Sequence, residues 1–142
     1  MSTDNEAVVR EFMRLFHEAA VPDFEKLMTF IAEDGQYHTL VPDGTVFTGR
    51  DQIRKCLETQ FETYNDCECE IHALGSGGPY VFTERTDHVT LTKDGRKVGS
   101  RVCAVFEVGE DKLIKSWREY WDTGNIIKQM GVTREELDKD IA

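Results

Sequence analysis

No apolar run in this 142-residue chain is long enough to cross a bilayer as a helix. Basic charge is scarce: 17 Lys and Arg stand against 27 Asp and Glu, a formal net charge of −10. Phosphate backbones call for a positive footprint, so nucleic acid is not an expected partner. The start, Met1-Ser2-Thr3-Asp4-Asn5-Glu6, is polar and acidic, unlike a secretory leader. Gly75-Ser76-Gly77-Gly78-Pro79 is not followed by a helical pattern, so it is a turn and not a phosphate loop. No nucleophile elbow is present. Cysteine is limited to Cys56, Cys67, Cys69 and Cys103, and no second Cys or His pair stands at zinc spacing beside Cys67-x-Cys69. Two thiols so spaced share one face of a strand and read as half-buried side chains, not as metal ligands or disulfide halves. The expectation is a soluble, cytoplasmic chain with no metal and no cofactor. Its length and 39% hydrophobic content suit a single domain over residues 1–142.

The first part of the chain has a helical period. Val8, Val9, Phe12, Leu15, Phe16 and Ala19 recur at helical spacing behind Thr3-x-x-Glu6, a capping-box pattern. Pro22-Asp23 interrupts this helix and opens a second, with Phe24, Leu27, Met28 and Ile31 inside and Glu33-Asp34-Gly35 at its end. Gln36 to Val41 reads as a short strand before a Pro42-Asp43-Gly44 turn. A third helix follows Phe47-Thr48-Gly49-Arg50-Asp51, with Ile53, Leu57 and Phe61 as its stripe and Cys56 and Gln60 beside it. After Tyr64-Asn65-Asp66 the period changes to that of strands, predicted over 67–74, 80–91, 97–108 and 112–122. Lys93-Asp94-Gly95-Arg96 and Gly109-Glu110-Asp111 are short enough for hairpins. Thr133-x-x-Glu136 predicts a final short helix. Helices followed by an antiparallel meander imply an α+β fold, with helices packed on one face of a curved sheet.

Strand 80–91 carries the most chemistry. Alternation places Val81, Thr83, Arg85, Asp87, Val89 and Leu91 on one face, and its apolar ends mark that face as buried. A guanidinium and a carboxylate would then lie inside, where they need pairing and further hydrogen bonds. The last strand repeats the motif: Leu113, Trp117, Glu119 and Trp121 share a face, a carboxylate among large apolar groups. Two carboxylates flanking one guanidinium suit general acid/base work. The same pattern also suits a structural ion cluster with Trp117 and Trp121 as core. The histidines are weaker candidates: His38 and His88 alternate away from the buried faces, and His17 and His72 have no evident partners.

Three blocks taken together, Thr83-Glu84-Arg85-Thr86-Asp87, Val105-Phe106-Glu107-Val108 and Trp117-Arg118-Glu119-Tyr120-Trp121-Asp122, resemble the limonene-1,2-epoxide hydrolase family of SnoaL-like, NTF2-like proteins. Ala32-Glu33-Asp34, Tyr37 and Gly49-Arg50-Asp51 fit the same pattern, over about residues 6–125. The resemblance implies a cone-shaped, mixed or antiparallel sheet packed by N-terminal helices around a deep pocket, usually in a homodimer. It also implies an Asp–Arg–Asp trio acting on a water held by a Tyr and an Asn. One Asp takes a proton from the water, and the other gives a proton to the epoxide oxygen. On this chain Asp87 matches the base, Arg85 the bridging arginine and Tyr37 the water-holding tyrosine. Glu119 stands in place of the second Asp, and Thr39 in place of the Asn. Trp117, on the face of Glu119, is expected beside substrate or water.

Three readings follow. The first is a cofactor-free hydrolase adding water to an epoxide of a small apolar molecule, with Asp87, Arg85 and Glu119 catalytic and Tyr37, Thr39 and Trp117 binding. The second is an isomerase or cyclase of the same fold. The third is a non-catalytic small-molecule-binding dimer. The expected dimer contact is the outer sheet face, carrying Phe82, Tyr120 and, if strand 97–108 presents that side, Val102, Ala104 and Phe106.

Overall fold

The computed structural model describes residues 2–141, with side chains over 4–139. Helices α1 (Ser2–Leu15) and α2 (Phe24–Met28) lead into β1 (Ile31–His38) and β2 (Val46–Thr48), and α3 (Arg50–Thr63) follows. Then come β3 (Tyr64–Gly77), β4 (Tyr80–Leu91), β5 (Lys97–Val108) and β6 (Ile114–Trp121), and finally α4 (Thr123–Met130) and α5 (Arg134–Ile141). The strands form one open sheet in the order β2-β1-β6-β5-β4-β3. All neighbours are antiparallel except β1 and β6, so the sheet is mixed. The expected α+β architecture is the one observed, and the meander boundaries fall close to those set by the turn residues.

The helices bury their apolar stripes against one sheet face. Val9, Phe12 and Met13 of α1, Leu27 of α2 and Ile53 and Leu57 of α3 meet Val81, Ala104, Phe106, Val108, Ile114 and Trp117. Phe12 is fully buried at the centre, with its ring 5.1 Å from that of Trp117 and 5.5 Å from that of Phe16, both edge-on. A second apolar cluster lies at the other end of the sheet, where Leu91 and Val98 pack on Ile126 of α4 and Leu137 of α5.

Several local expectations are corrected. Ala19 is exposed and lies past the end of α1. Thr3 falls inside α1 and its side chain lies outside the described residues, while Glu6 accepts a hydrogen bond from Ser76 of β3. The second helix stops at Met28, and Ile31 to Gly35 belong to β1. The register of β1 on β6 slips between Ile31 and Gln36, which erases the strand period from the sequence. Gly35 allows that irregularity: a Cβ there would stand 2.8 Å from Ile31 Cγ2 and 3.2 Å from the Ile114 carbonyl.

Another slip, between Glu107 and Val108 opposite β6, brings Ile114 to the core side with Trp117 and leaves Leu113 before the strand, half-buried. Val102, Ala104 and Phe106 pair with Arg85, Thr83 and Val81 and are buried on the inner face, so the outer face keeps Phe82 and Tyr120 without them. Helix α4, which the sequence reading leaves out, has Asp122 as its N-cap and Gly131 in the left-handed conformation at its end. The box at Thr133 is formed as expected, with Thr133 Oγ1 accepting from the Glu136 amide and Glu136 accepting from the Thr133 amide.

Because Phe12 touches both helical and sheet aromatics, Phe12→Ala is expected to cost about 3–5 kcal/mol of unfolding free energy. Urea denaturation followed by circular dichroism measures it, and a loss under about 1 kcal/mol would mean that the cavity collapses around the smaller side chain.

Candidate active site

Arg85 is the largest fully buried side chain of the protein, 1% exposed at the middle of β4. Strand alternation sends it into the core side together with Thr83 and Asp87, as the sequence pattern requires. Its Nε and Nη2 donate to the two oxygens of Asp87 at 2.9 and 2.7 Å, a bidentate pair. Nη2 also donates to Glu119 Oε2 at 2.6 Å, and Nη1 donates to Thr83 Oγ1 at 3.0 Å. Trp117 Nε1 donates to the same Glu119 Oε2 at 3.0 Å. Arg85 thus bridges two carboxylates from different strands, β4 and β6, that are not hydrogen-bonded neighbours in the sheet.

The electrostatics follow from burial. Desolvation works against the charge of Arg85, but Glu119 and Asp87 more than offset it, and the guanidinium stays a cation. Glu119 is pushed above the usual carboxylate range, first by its burial; Arg85 pulls it down and the charge of Asp87 pushes it up again. Both donors to Glu119 converge on Oε2, so a proton on this carboxyl sits on Oε1. The cluster can therefore hold one acid in its protonated form beside a second carboxylate.

Asp87 and Glu119 both line a cavity of about 140 Å³. Its lining is mixed, with Tyr37, Thr39, Gln60 and Tyr64 offering polar groups and Val98, Ile126, Met130 and Leu137 apolar ones. A smaller cavity of about 40 Å³ lies on the core side of the cluster and is lined by Arg85, Cys67, Cys69 and Trp117 as well as by Tyr37, Gln60 and Glu119. Tyr37 stacks on Trp117 with centroids 3.9 Å apart and planes 14° from parallel. Burial, and then the nearby charge of Glu119, raise the Tyr37 phenol well above its ordinary value and keep it neutral.

The structure brings together five of the six residues singled out at or beside the larger cavity: Asp87, Glu119, Tyr37 and Thr39 line it, and Arg85 lies directly behind. Trp117, 3% exposed in the core, touches Glu119 and Tyr37 from the side of the smaller cavity, while Trp121 lines the larger one and donates to the Thr39 carbonyl at 2.8 Å. Thr39 sits just past β1, in a segment tied to β6 through the Val41 amide and the Glu119 carbonyl, 2.9 Å apart.

Gln60, Tyr64 and the C-terminal helices were not read as part of the site. Gln60 is a polar side chain on the half-buried flank of α3, and Ile126, Met130 and Leu137 recur at helical spacing between Asp122 and the chain end, which is the signal they offered.

Three of the four histidines have hydrogen-bond partners. His17 Nε2 accepts from the Cys69 amide at 2.6 Å, and His72 lies 2.6 Å from Thr86 Oγ1, correcting the reading that both lack them. His88 pairs with Glu70 at 2.9 Å, and burial and Arg118 lower the ionisation of His38. All four cysteines are free; Cys67 and Cys69 share a face, 3.8 Å apart at sulfur, as their spacing implies. Among the described residues no group of three or more His, Cys, Asp and Glu side chains is placed to hold a metal ion, and no helix is long and apolar enough to cross a membrane.

Removing the cation while keeping its bulk tests how the cluster is balanced. Arg85→Met leaves the buried Glu119 and the half-buried Asp87 without their cation and is expected to cost about 3–5 kcal/mol near neutral pH. Without the cation that pulls it down, the buried Glu119 carboxyl ionises at still higher pH, so the folded variant binds a proton that the unfolded chain releases. Its deficit therefore shrinks as pH falls. Urea unfolding of both proteins at neutral and acidic pH checks this, and a deficit that grows on acidification would overturn it.

Comparison with known proteins places this geometry. Residues 9–117 match the family described as SnoaL-like domain. Over 61 residues the chain is 41% identical to the epoxide hydrolase EphG of Mycobacterium tuberculosis (strain ATCC 25618 / H37Rv), an alignment covering 43% of this chain and 39% of that protein. The structure of an LEH-like epoxide hydrolase from M. tuberculosis superimposes with a TM-score of 0.75 at 26% identity, over 90% of each chain. The epoxide hydrolase/cyclase-like enzyme SalBIII, described in pyran ring formation in the polyether salinomycin, superimposes with a TM-score of 0.76 over 87% of this chain and 94% of its own. At 20% identity, that likeness is one of fold. Since the family match takes in most of its length, the chain belongs to the SnoaL-like domain family.

Proposed function

We propose that the protein is a cofactor-free epoxide hydrolase acting on a small apolar molecule. The observation that carries this reading is the single guanidinium shared by Asp87 and Glu119, two carboxyls that line a cavity with apolar side chains around them. The similarity to EphG and to the LEH-like hydrolase, each named an epoxide hydrolase, supports it.

A water in the cavity gives a proton to Asp87 as its oxygen bonds to an epoxide carbon. The carbon–oxygen bond of the ring breaks, and the oxygen takes the proton of Glu119. The product is a diol, with Asp87 protonated and Glu119 ionised, and transfer of one proton from Asp87 to Glu119 resets the site. Arg85 holds both carboxyls in place and keeps the net charge of the cluster from building up. Tyr37 and Thr39 hold the water or the substrate oxygen. Trp117 acts through Glu119 by its indole N–H.

A cyclase of the same fold is the second reading, favoured by Thr39, a short hydroxyl where the resemblance implies a carboxamide. The same acid and base would then serve a hydroxyl of the substrate itself in place of water.

Asp87→Asn is expected to lower epoxide turnover by about 10²–10⁴-fold while leaving the fold intact, since an amide cannot take the proton. Glu119→Gln should be comparably severe. A general acid works below its own pKa, so wild-type kcat should fall as pH rises through the raised ionisation of Glu119. Hydrolysis of styrene, cyclohexene and terpene epoxides in isotopically labelled water measures all three. An active Asp87→Asn would show that the base is misassigned, and a product without label, which from these hydroxyl-free epoxides is an isomer, would replace hydrolysis by isomerisation.

We further place the protein in the cytoplasm, where its four free thiols stay reduced, as a homodimer joined through the outer sheet face. Phe82, 48% exposed, Tyr80 and Tyr120 form an apolar patch there together with Cys103 and Val105. Light scattering at micromolar concentration should give a dimer for wild type and a monomer for Phe82→Asp, and a monomeric wild type would count against this contact.

A further inference from the structure

We propose that Gln60 is a positioning residue that fixes the Tyr37 hydroxyl as a hydrogen-bond donor to the reactant held against Asp87. The proposal rests on the reading that Asp87 works on a reactant in the larger cavity. The last turn of α3 sets Gln60 between two tyrosines. The Tyr64 hydroxyl donates to Gln60 Oε1 at 3.1 Å, and Gln60 Nε2 donates to the Tyr37 oxygen at 3.3 Å and to Cys56 Sγ at 3.5 Å. A carboxamide accepts at one end and donates at the other. Once its oxygen serves Tyr64, its nitrogen faces Tyr37, and the order of donors along the three residues is set.

The consequence falls on Tyr37. Its ring cannot swing, because it is buried and stacked on Trp117. A phenol keeps its O–H near the ring plane, which leaves two positions for the proton. The one toward Gln60 is blocked by an N–H, so the proton takes the other. Tyr37, Gln60, Asp87 and Glu119 line both the larger cavity and the small one behind it, and the hydroxyl therefore donates within the space that these groups enclose. A water there accepts from Tyr37 and donates to Asp87, and those two bonds aim a remaining lone pair at the substrate. Burial keeps the Tyr37 phenol neutral, as a donor must be.

Gln60→Glu tests this with almost no change of shape. The introduced carboxylate accepts from both tyrosines, so the Tyr37 proton turns toward it and away from the reactant. The infrared carbonyl stretch of bound acetophenone reads the donor directly, with no dependence on turnover. Wild type should show a band shifted to lower frequency than in hexane. The shift should be lost in Tyr37→Phe, and lost in Gln60→Glu near neutral pH but regained when acid protonates the introduced carboxyl.

In parallel, kcat for styrene oxide should fall about tenfold in Gln60→Glu with KM little changed, and recover in acid relative to wild type. A purely structural role for Gln60 gives no such pH rescue. An unshifted band in wild type, or the same band in wild type and Gln60→Glu at neutral pH, overturns the proposal. A wild type that turns over no epoxide but shows the shift and its pH-dependent rescue removes the hydrolysis reading and supports the role of Gln60.

Discussion

Everything in this site depends on one buried cation. Arg85 is taken out of water at the centre of the sheet, and that state is tolerable only because two carboxyls and a threonine hydroxyl satisfy its donors. The converse also holds. Burial pushes the ionisation of Glu119 upward, Arg85 pulls it back, and the charge of Asp87 raises it again. Burial and charge balance are the same physical fact seen from three side chains.

The fold supplies what the cluster needs. β4 and β6 are separated by β5, so the carboxyls come from strands that do not hydrogen-bond to each other, and the long arginine side chain spans the gap. The N-terminal helices and their aromatic cluster seal the cluster from behind through Phe12 and Trp117. The C-terminal helices form the apolar wall in front. They lie beyond residue 117, where the family match ends. Arg96 fastens that wall by donating to the Gln129 and Met130 carbonyls at the end of α4, and the Gln129 side chain bonds the Gly99 backbone in both directions.

The sequence by itself determined the class of fold, the four long strands and the buried face of β4. Turn residues mark strand ends through backbone sterics, and a period of two along one strand is a local property. It placed Arg85 and Asp87 inside because Val81, Thr83 and Leu91 fix the parity of their strand. Tertiary structure alone decided the rest. The slips at Gly35 and at Glu107 change which residues face the core, and they depend on partners far away in the chain. Those slips turned a predicted helical stretch into β1 and exchanged Leu113 for Ile114. The inner face of β5 was settled by its register on β4, and of the two tryptophans read on one face Trp121 lines the larger cavity and Trp117 the smaller. The Tyr64–Gln60–Tyr37 chain joins three elements, β3, α3 and β1, the last of which only packing brings to the other two. Periodicity records which side of its own element a residue lies on, whereas the partners across a cavity are chosen by how the elements pack.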